Sequence, residues 1–474
     1  MNSSGKQAAA LALHRFGFGP AGDSINAIAT DPRGALLADL ERPSAGELAV
    51  DLPSSAQAAR AVYDFQAERR AQQKLELRVE KTAATDGEAQ AMSDFAKTAL
   101  PDAASGPKQP PLPQQLLLNE AKARFDAAAA ADIGFVERLV WFWSNHFCVS
   151  ADKIVGMAGP YEREAIRPHV LGRFTELLQA VESHPAMLFY LDNVESMGAD
   201  SIGGINGDKG LNENLARETL ELHTLGVRSG YTQVDVTSFA RMLTGWTWVS
   251  PSEPDHGGEF IFNKHLHEPG AQTVLGKSYP DTGFDQGRAV LADLARHPAT
   301  AQHIAQQLAA HFIADEPPPS LVDKLTKTFK DSDGHLKEVA STLINAEESW
   351  SPQRQKLKSP AVWIAAVLRL TGTQATIPIG LVMNAQATLG EPLWRPPAPN
   401  GFSDSEAAWI DGVPRRLDIA NVFAGRVPAV NPLALLEASL GPLASSETRE
   451  TVARAETRRQ ALALLVMTPE FLRS

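Results

Sequence analysis

Residues 212–226 read Asn-Glu-Asn-Leu-Ala-Arg-Glu-Thr-Leu-Glu-Leu-His-Thr-Leu-Gly, the stretch richest in chemical function. On a helix, at about 100° per residue, Asn214, Arg217, Glu218 and Glu221 share one face. Leu211, Leu215 and Leu222 lie on an adjoining face, and His223 points nearly opposite Asn214. Side by side, Glu218 and Glu221 suit an acid and base pair or the oxygen ligands of a cation. Arg217 suits an anionic substrate group held by a bidentate fork. The plainer arrangement is a solvated face on which Glu213, Arg217 and Glu221 pair at i, i+4, worth about 0.2–0.5 kcal/mol each. Spacing alone favours that plainer arrangement, because charged faces are usually solvated.

A second group follows in His265-Leu266-His267-Glu268-Pro269-Gly270. On an extended segment, alternate residues share a side, so His265 and His267 offer two metal ligands or a base beside a carboxylate. The competing reading is a polar turn ended by Pro-Gly. Arg241 lies late in a helix leading into Thr244-Gly245-Trp246 and is a second candidate to hold an anion. Trp246 and Trp394 are candidate stacking platforms for a sugar, against the alternative that each is a packed arm. The aromatics of Trp141-Phe142-Trp143 read as core, with His146 hydrogen-bonded inside. No phosphate-loop, nucleophile-elbow, His-Glu-x-x-His or paired Cys-x-x-Cys pattern occurs. The glycine-rich loop 203–210 fits neither a phosphate loop nor an EF-hand and reads as a turn-forming lead, with Asn212 as N-cap.

The elements that must hold these groups are mostly helices. Helical periodicity is read at 7–16, 25–31, 56–80, 114–130, 133–146, 163–182, 212–225, 233–245, 287–296, 299–312, 320–330, 335–345, 361–371 and 449–467, with 32–34 between elements. Between Trp246 and Tyr279 the pattern turns to short apolar strands, and 392–399 is a proline-rich arm. The expected fold is mainly α: a large multi-helix body with a small β excursion near residues 246–279. The expected divisions are N-terminal helices at 1–81, a flexible loop or inserted lobe at 82–113, and a main body at 114–474.

The 474 residues carry a net charge of −12, without the basic block that phosphate binding leaves, so nucleic acid is not an expected partner. Acidity also argues against an anionic membrane surface, and no stretch approaches the ~20 apolar residues that cross a bilayer. The single cysteine, Cys148, excludes an intramolecular disulfide. Met1–Ala12 lacks the pattern of a signal peptide, which makes the cytoplasm the expected compartment.

Several segments in order carry a resemblance: Leu13-His14-Arg15-Phe16-Gly17-Phe18-Gly19, Phe142-Trp143-Ser144-Asn145-His146-Phe147, and the stretch from Asn212 to Gly226. With them come Gly230-Tyr231-Thr232-Gln233, Asp235-Val236, Ala240-Arg241, Leu243-Thr244-Gly245-Trp246 and Lys358-Ser359-Pro360. Together they resemble the bacterial "domain of unknown function 1800" family over nearly the whole chain. Members often have His-Asp where this chain has His267-Glu268, and Gly-Trp where it has Gly401-Phe402. The resemblance implies a predominantly helical fold and no particular reaction. Many relatives look exported and are encoded beside a phosphatase–sulfatase-like protein, which implies extracellular polymer or sulfated-glycan metabolism and a partner of that kind.

Two readings follow. In the first, the chain is a hydrolase, with a divalent metal as an open question, acting on a carbohydrate or other anionic polymer. Glu218, Glu221 and His267 are then catalytic, Asn214, Arg217, Arg241, Trp246 and Trp394 bind substrate, and Glu218, Glu221, His265 and His267 are the metal candidates. In the second, the chain is a non-catalytic accessory or assembly partner whose polar helix is an internal ion-pair lock. The first predicts a concavity with perturbed pKa values around Glu218, Glu221, Arg241 and His267. The second predicts that these residues pair with one another and leave no pocket.

Overall fold

A computed structural model describes residues 3–85, 109–205, 207, 210–428 and 430–474. The loop or lobe expected at 82–113 falls largely on residues outside these, as do Asn206, Asp208 and Lys209 of the glycine-rich loop. The fold is mainly α, with two antiparallel two-stranded sheets among the described residues. Trp246–Trp248 pairs with Phe260–Phe262, and Gln272–Val274 with Lys277–Tyr279, so the β excursion lies where the alternation placed it. One hydrophobic cluster runs from Ala9 to Leu472 and takes in residues from nearly every helix. No helix of the described residues is long and apolar enough to cross a membrane.

The helices differ from the periodic reading where local chemistry intervenes. Pro32 begins a helix, Pro32–Leu40, where only a connection was expected; proline suits the first helical position, and Asp31 caps Gly34 N at 2.9 Å. The segment expected as one helix at 163–182 is a π-helix, Glu162–Ile166, and a 3-10 turn, Arg167–His169, before Phe174–Glu182. Pro168 removes a backbone donor inside that run, and an uninterrupted helix cannot pass through it. The expected helix at 449–467 is likewise two, Ser446–Ala453 and Arg458–Val466. Ser55–Thr85 buries Ala58, Ala59 and Val62 near its start and then exposes every residue from 70 to 78. It is thus a packed stem with a solvated extension.

Candidate functional site

The polar stretch begins as the α-helix Asn214–Glu218 and continues as the π-helix Thr219–Thr224. Asn212 Oδ1 accepts from Asn214 N at 2.9 Å, and Gly226 closes the run at φ +86°, the left-handed conformation glycine adopts freely. Arg217 bonds Glu213 at 3.0 Å and Gln233 at 2.9 Å and stands 3.8 Å from Glu221. Glu213 also accepts from Thr237 at 2.7 Å, and Glu221 bonds the Tyr231 hydroxyl. This face is a satisfied ladder tying the helix to its neighbour Gln233–Leu243. Glu218 stands outside it: among the described residues its carboxylate has no hydrogen bond or ion pair. Burial raises the Glu218 pKa, with His223 opposing and Glu221 adding to the rise. His223 is buried behind the face and bonds Glu182 at 2.6 Å, both at 1% exposure.

The other expected members each have surroundings of their own. His267 is buried and donates from Nδ1 to Thr244 O at 2.9 Å, with Nε2 3.6 Å from Asp281. Glu268 is buried beside it, its N–H on Thr244 Oγ1 at 2.7 Å and its Oε2 accepting from Asp200 N at 3.0 Å. His265, two residues back, is exposed, so the pair does not share a side. Arg241 is exposed, and its side chain bonds no group among the described residues. Trp246 is fully buried against Phe260 and Phe284 and presents no ring face to solvent. Among the described residues no group of three or more His, Cys, Asp or Glu side chains converges as a metal site would require.

Chemistry converges elsewhere, in a cavity of about 70 Å³ behind the arm that carries Trp394. Phe135–His146 supplies Arg138, Trp141, Ser144 and Asn145 to its wall, and Leu112–Ala130 supplies Arg124. His311 comes from Pro298–Phe312, Ser359 and Ala361 from the start of Pro360–Thr371, and Gln386 from Ile379–Thr388. The arm closes the cavity with Glu391, Trp394, Phe402 and Asp404. Each wall is held by a specific tie. Asp39 caps Phe135 N and Val136 N at 3.1 and 3.2 Å, and Asn145 brackets Phe402 N and O at 2.8 and 2.9 Å. Gly401 has φ +73°, and a Cβ there would lie 2.6 Å from Asn145 O, so glycine is required. Trp394 is buried with Nε1 3.3 Å from Glu162 and belongs to the cavity wall.

The charges in the cavity are unequally satisfied. Arg124 pairs with Glu162 at 2.9 Å, and Arg167 pairs with Glu162 at 3.1 Å and Glu137 at 2.7 Å, a buried alternating chain. Arg138 has no carboxylate in contact: it donates to Gly17 O at 2.9 Å and to His311 Nε2 at 3.2 Å. Nδ1 of His311 donates in turn to Asp404 at 2.8 Å, which fixes the neutral tautomer with the proton on Nδ1. Burial pulls the Arg138 pKa down to about 10 and lowers that of His311, while Asp404 opposes both. Glu391 Oε2 accepts from Ala361 N at 2.7 Å, at a helix N-terminus. Burial nevertheless pushes the Glu391 carboxyl up to about 7. The Cys148 thiol is driven the same way, to about 12, and donates to Pro399 O at 3.2 Å, so it is inert there.

Of the residues lining this cavity, Trp394 alone was among the candidates named from sequence. The segments around it were nonetheless marked: the Trp143-Ser144-Asn145-His146 block, Lys358-Ser359-Pro360 and the proline-rich arm all border it. Arg138, His311, Glu391 and Asp404 carried no spacing signal, because they come from different elements. No curated protein and no solved structure matches the chain. One family model, described as "Protein of unknown function (DUF1800)", matches residues 11–473. With nearly its whole length inside that match, the chain belongs to the DUF1800 family.

Proposed function

We propose that this protein is a hydrolase whose reaction runs in the cavity behind the 391–404 arm, with Glu391 as its proton-transfer group. The observation that carries this reading is a carboxyl pushed up to about 7 on the wall of a cavity. A general base works best when its pKa lies near the working pH. Ionised Glu391 takes a proton from a water as its oxygen attacks the substrate, and the carboxylic acid so formed returns that proton to the leaving group. Glu391 and Glu218 both have raised pKa values, but Glu391 also lines a cavity. The substrate class carried from the sequence is a carbohydrate or other anionic polymer.

The accessory-partner reading draws support from the Glu213–Arg217–Glu221 ladder, which is satisfied without any ligand. A panel of chromogenic esters, phosphates, sulfates and glycosides separates the two. The wild type should turn over at least one class, and Glu391→Gln should lose about 10²–10⁴-fold in rate, the range for a proton-transfer group, while staying folded. Turnover untouched by Glu391→Gln would refute the role of Glu391. No turnover across the panel would favour the accessory reading.

A further inference from the structure

The 391–404 arm stands between two hollows. The inner one is the cavity of about 70 Å³ with Glu391 on its wall. The outer one is a groove of about 560 Å³, walled by Leu112–Ala130, Ile379–Thr388 and residues 151–159. Along the arm, Pro392 and Arg395 line the groove, Glu391, Trp394 and Pro396 line the cavity, and Leu393 borders both. The arm is therefore the partition between them. A water takes about 10–15 Å³ by this measure, so the cavity has room for roughly five waters. As it stands it is too small for a sugar unit.

The partition carries strain. Trp394 has φ +50°, a true outlier for so bulky a side chain. Such strain persists only where the surroundings hold it. Here Trp394 O accepts from Ala151 N at 2.7 Å, Nε1 lies 3.3 Å from Glu162, and the Arg124 guanidinium sits 5.7 Å from the ring. The outer ties are weaker: Arg395 Nε donates to Asp152 at 2.8 Å, with side chains 41% and 69% exposed. Pro392, Pro396, Pro397 and Pro399 stiffen the arm between Gly390, at φ +92°, and Gly401, at φ +73°. Two glycines in the left-handed region are where a large dihedral change costs least. We propose that the arm is a gate, whose 392–399 stretch swings on Gly390 and Gly401, releases Trp394 from its left-handed backbone and joins the groove to the cavity. A substrate unit lying in the groove then reaches Glu391. The gate deepens the proposed hydrolase and rests on that reading for Glu391 being the destination.

Cys148, the single cysteine, reports on the arm directly. It is 5% exposed, and its thiol donates to Pro399 O at 3.2 Å, so a thiol reagent reaches it only with the arm displaced. The test is the rate at which dithionitrobenzoate labels the full chain, in buffer and in urea below the unfolding transition. Labelling of the native protein is expected, at a rate that low urea does not change, because a local opening exposes little surface. Arg395→Gln removes an outer tie without touching the cavity wall and should label about two- to fivefold faster. Asp152→Asn should do the same from the other side of the pair. Labelling that climbs with urea along the unfolding curve overturns the gate, and so do variants that label as the wild type does. A native protein never labelled, while its urea-unfolded form is, overturns it too. Labelling as expected, with turnover indifferent to Glu391→Gln, would keep the gate and remove the proposed mechanism. Turnover that needs Glu391 with Cys148 closed to the reagent would do the opposite.

Discussion

At the scale of single residues, what decides a group's chemistry is its desolvation, and that is what a lone sequence conceals. Glu218 and Glu221 drew notice because helical spacing sets them side by side, yet Glu221 is engaged by Arg217 and Tyr231. Glu391 drew none, because it follows Gly390 in an arm with no periodicity. Only the fold shows that Ala361 N, Ser359 and Arg124 surround it. The consequence for stability can be measured. An ordinary glutamate ionises at 4.5, whereas folded Glu391 ionises at about 7. Below 4.5 it is protonated in both states and contributes nothing. Between these values the unfolded chain loses the proton first, so stability falls as pH rises, and above 7 the penalty is constant. Glu391→Gln removes it and should gain on the wild type progressively from pH 4.5 to 7, by at most ~3 kcal/mol. Urea unfolding across that range checks it, and a gain that is flat with pH would show that the carboxyl is not shifted.

At the scale of elements, periodicity found most of the helices and the strands near 246–279, and it failed where one residue overrides the period. Pro168 broke an expected helix and Pro32 started an unexpected one, for the same reason: proline fits a helix only in its first turn. The π-helix Thr219–Thr224 is a further case, since 3.6-residue spacing does not anticipate an added residue in the turn. Within this element the ladder and the free carboxylate have opposite expected effects. Glu213 joins Arg217, Gln233 and Thr237 across two helices, so Glu213→Gln should cost about 0.5–1 kcal/mol. Glu218 has no partner among the described residues, and Glu221 has only a partly exposed ion pair at 3.8 Å and the Tyr231 hydroxyl, so the Glu218→Gln/Glu221→Gln double variant should melt within a few degrees of the wild type. Thermal melts of both decide the matter. A large loss in the double variant would mean that Glu218 and Glu221 hold the fold together.

At the scale of the whole molecule, the two ends of the chain close on each other through one buried lysine. Lys358 Nζ donates to Phe471 O at 2.6 Å and Arg473 O at 2.7 Å and lies 3.3 Å from His14 Nδ1. His14 Nε2 donates to Ser439 O at 2.8 Å, and Arg416 donates to Lys358 O at 2.7 Å. The first helix, the start of Pro360–Thr371 and the last residues are thus one assembly, and Ser359 carries it to the cavity wall. Sequence marked both Leu13-His14-Arg15 and Lys358-Ser359-Pro360, but their meeting spans 344 positions and has no local signature. Phe471 is 1% exposed and covers this assembly, so Phe471→Ala should cost about 3–5 kcal/mol. Leu75 and Leu77, on the solvated extension of Ser55–Thr85, are 64% and 57% exposed, and their alanine variants should cost under ~0.5 kcal/mol. Denaturant unfolding of the three variants compares the regions directly. A small loss at Phe471 would mean that the chain end is held by its backbone bonds alone, whereas equal losses at all three sites would show that the Ser55–Thr85 extension is covered in solution.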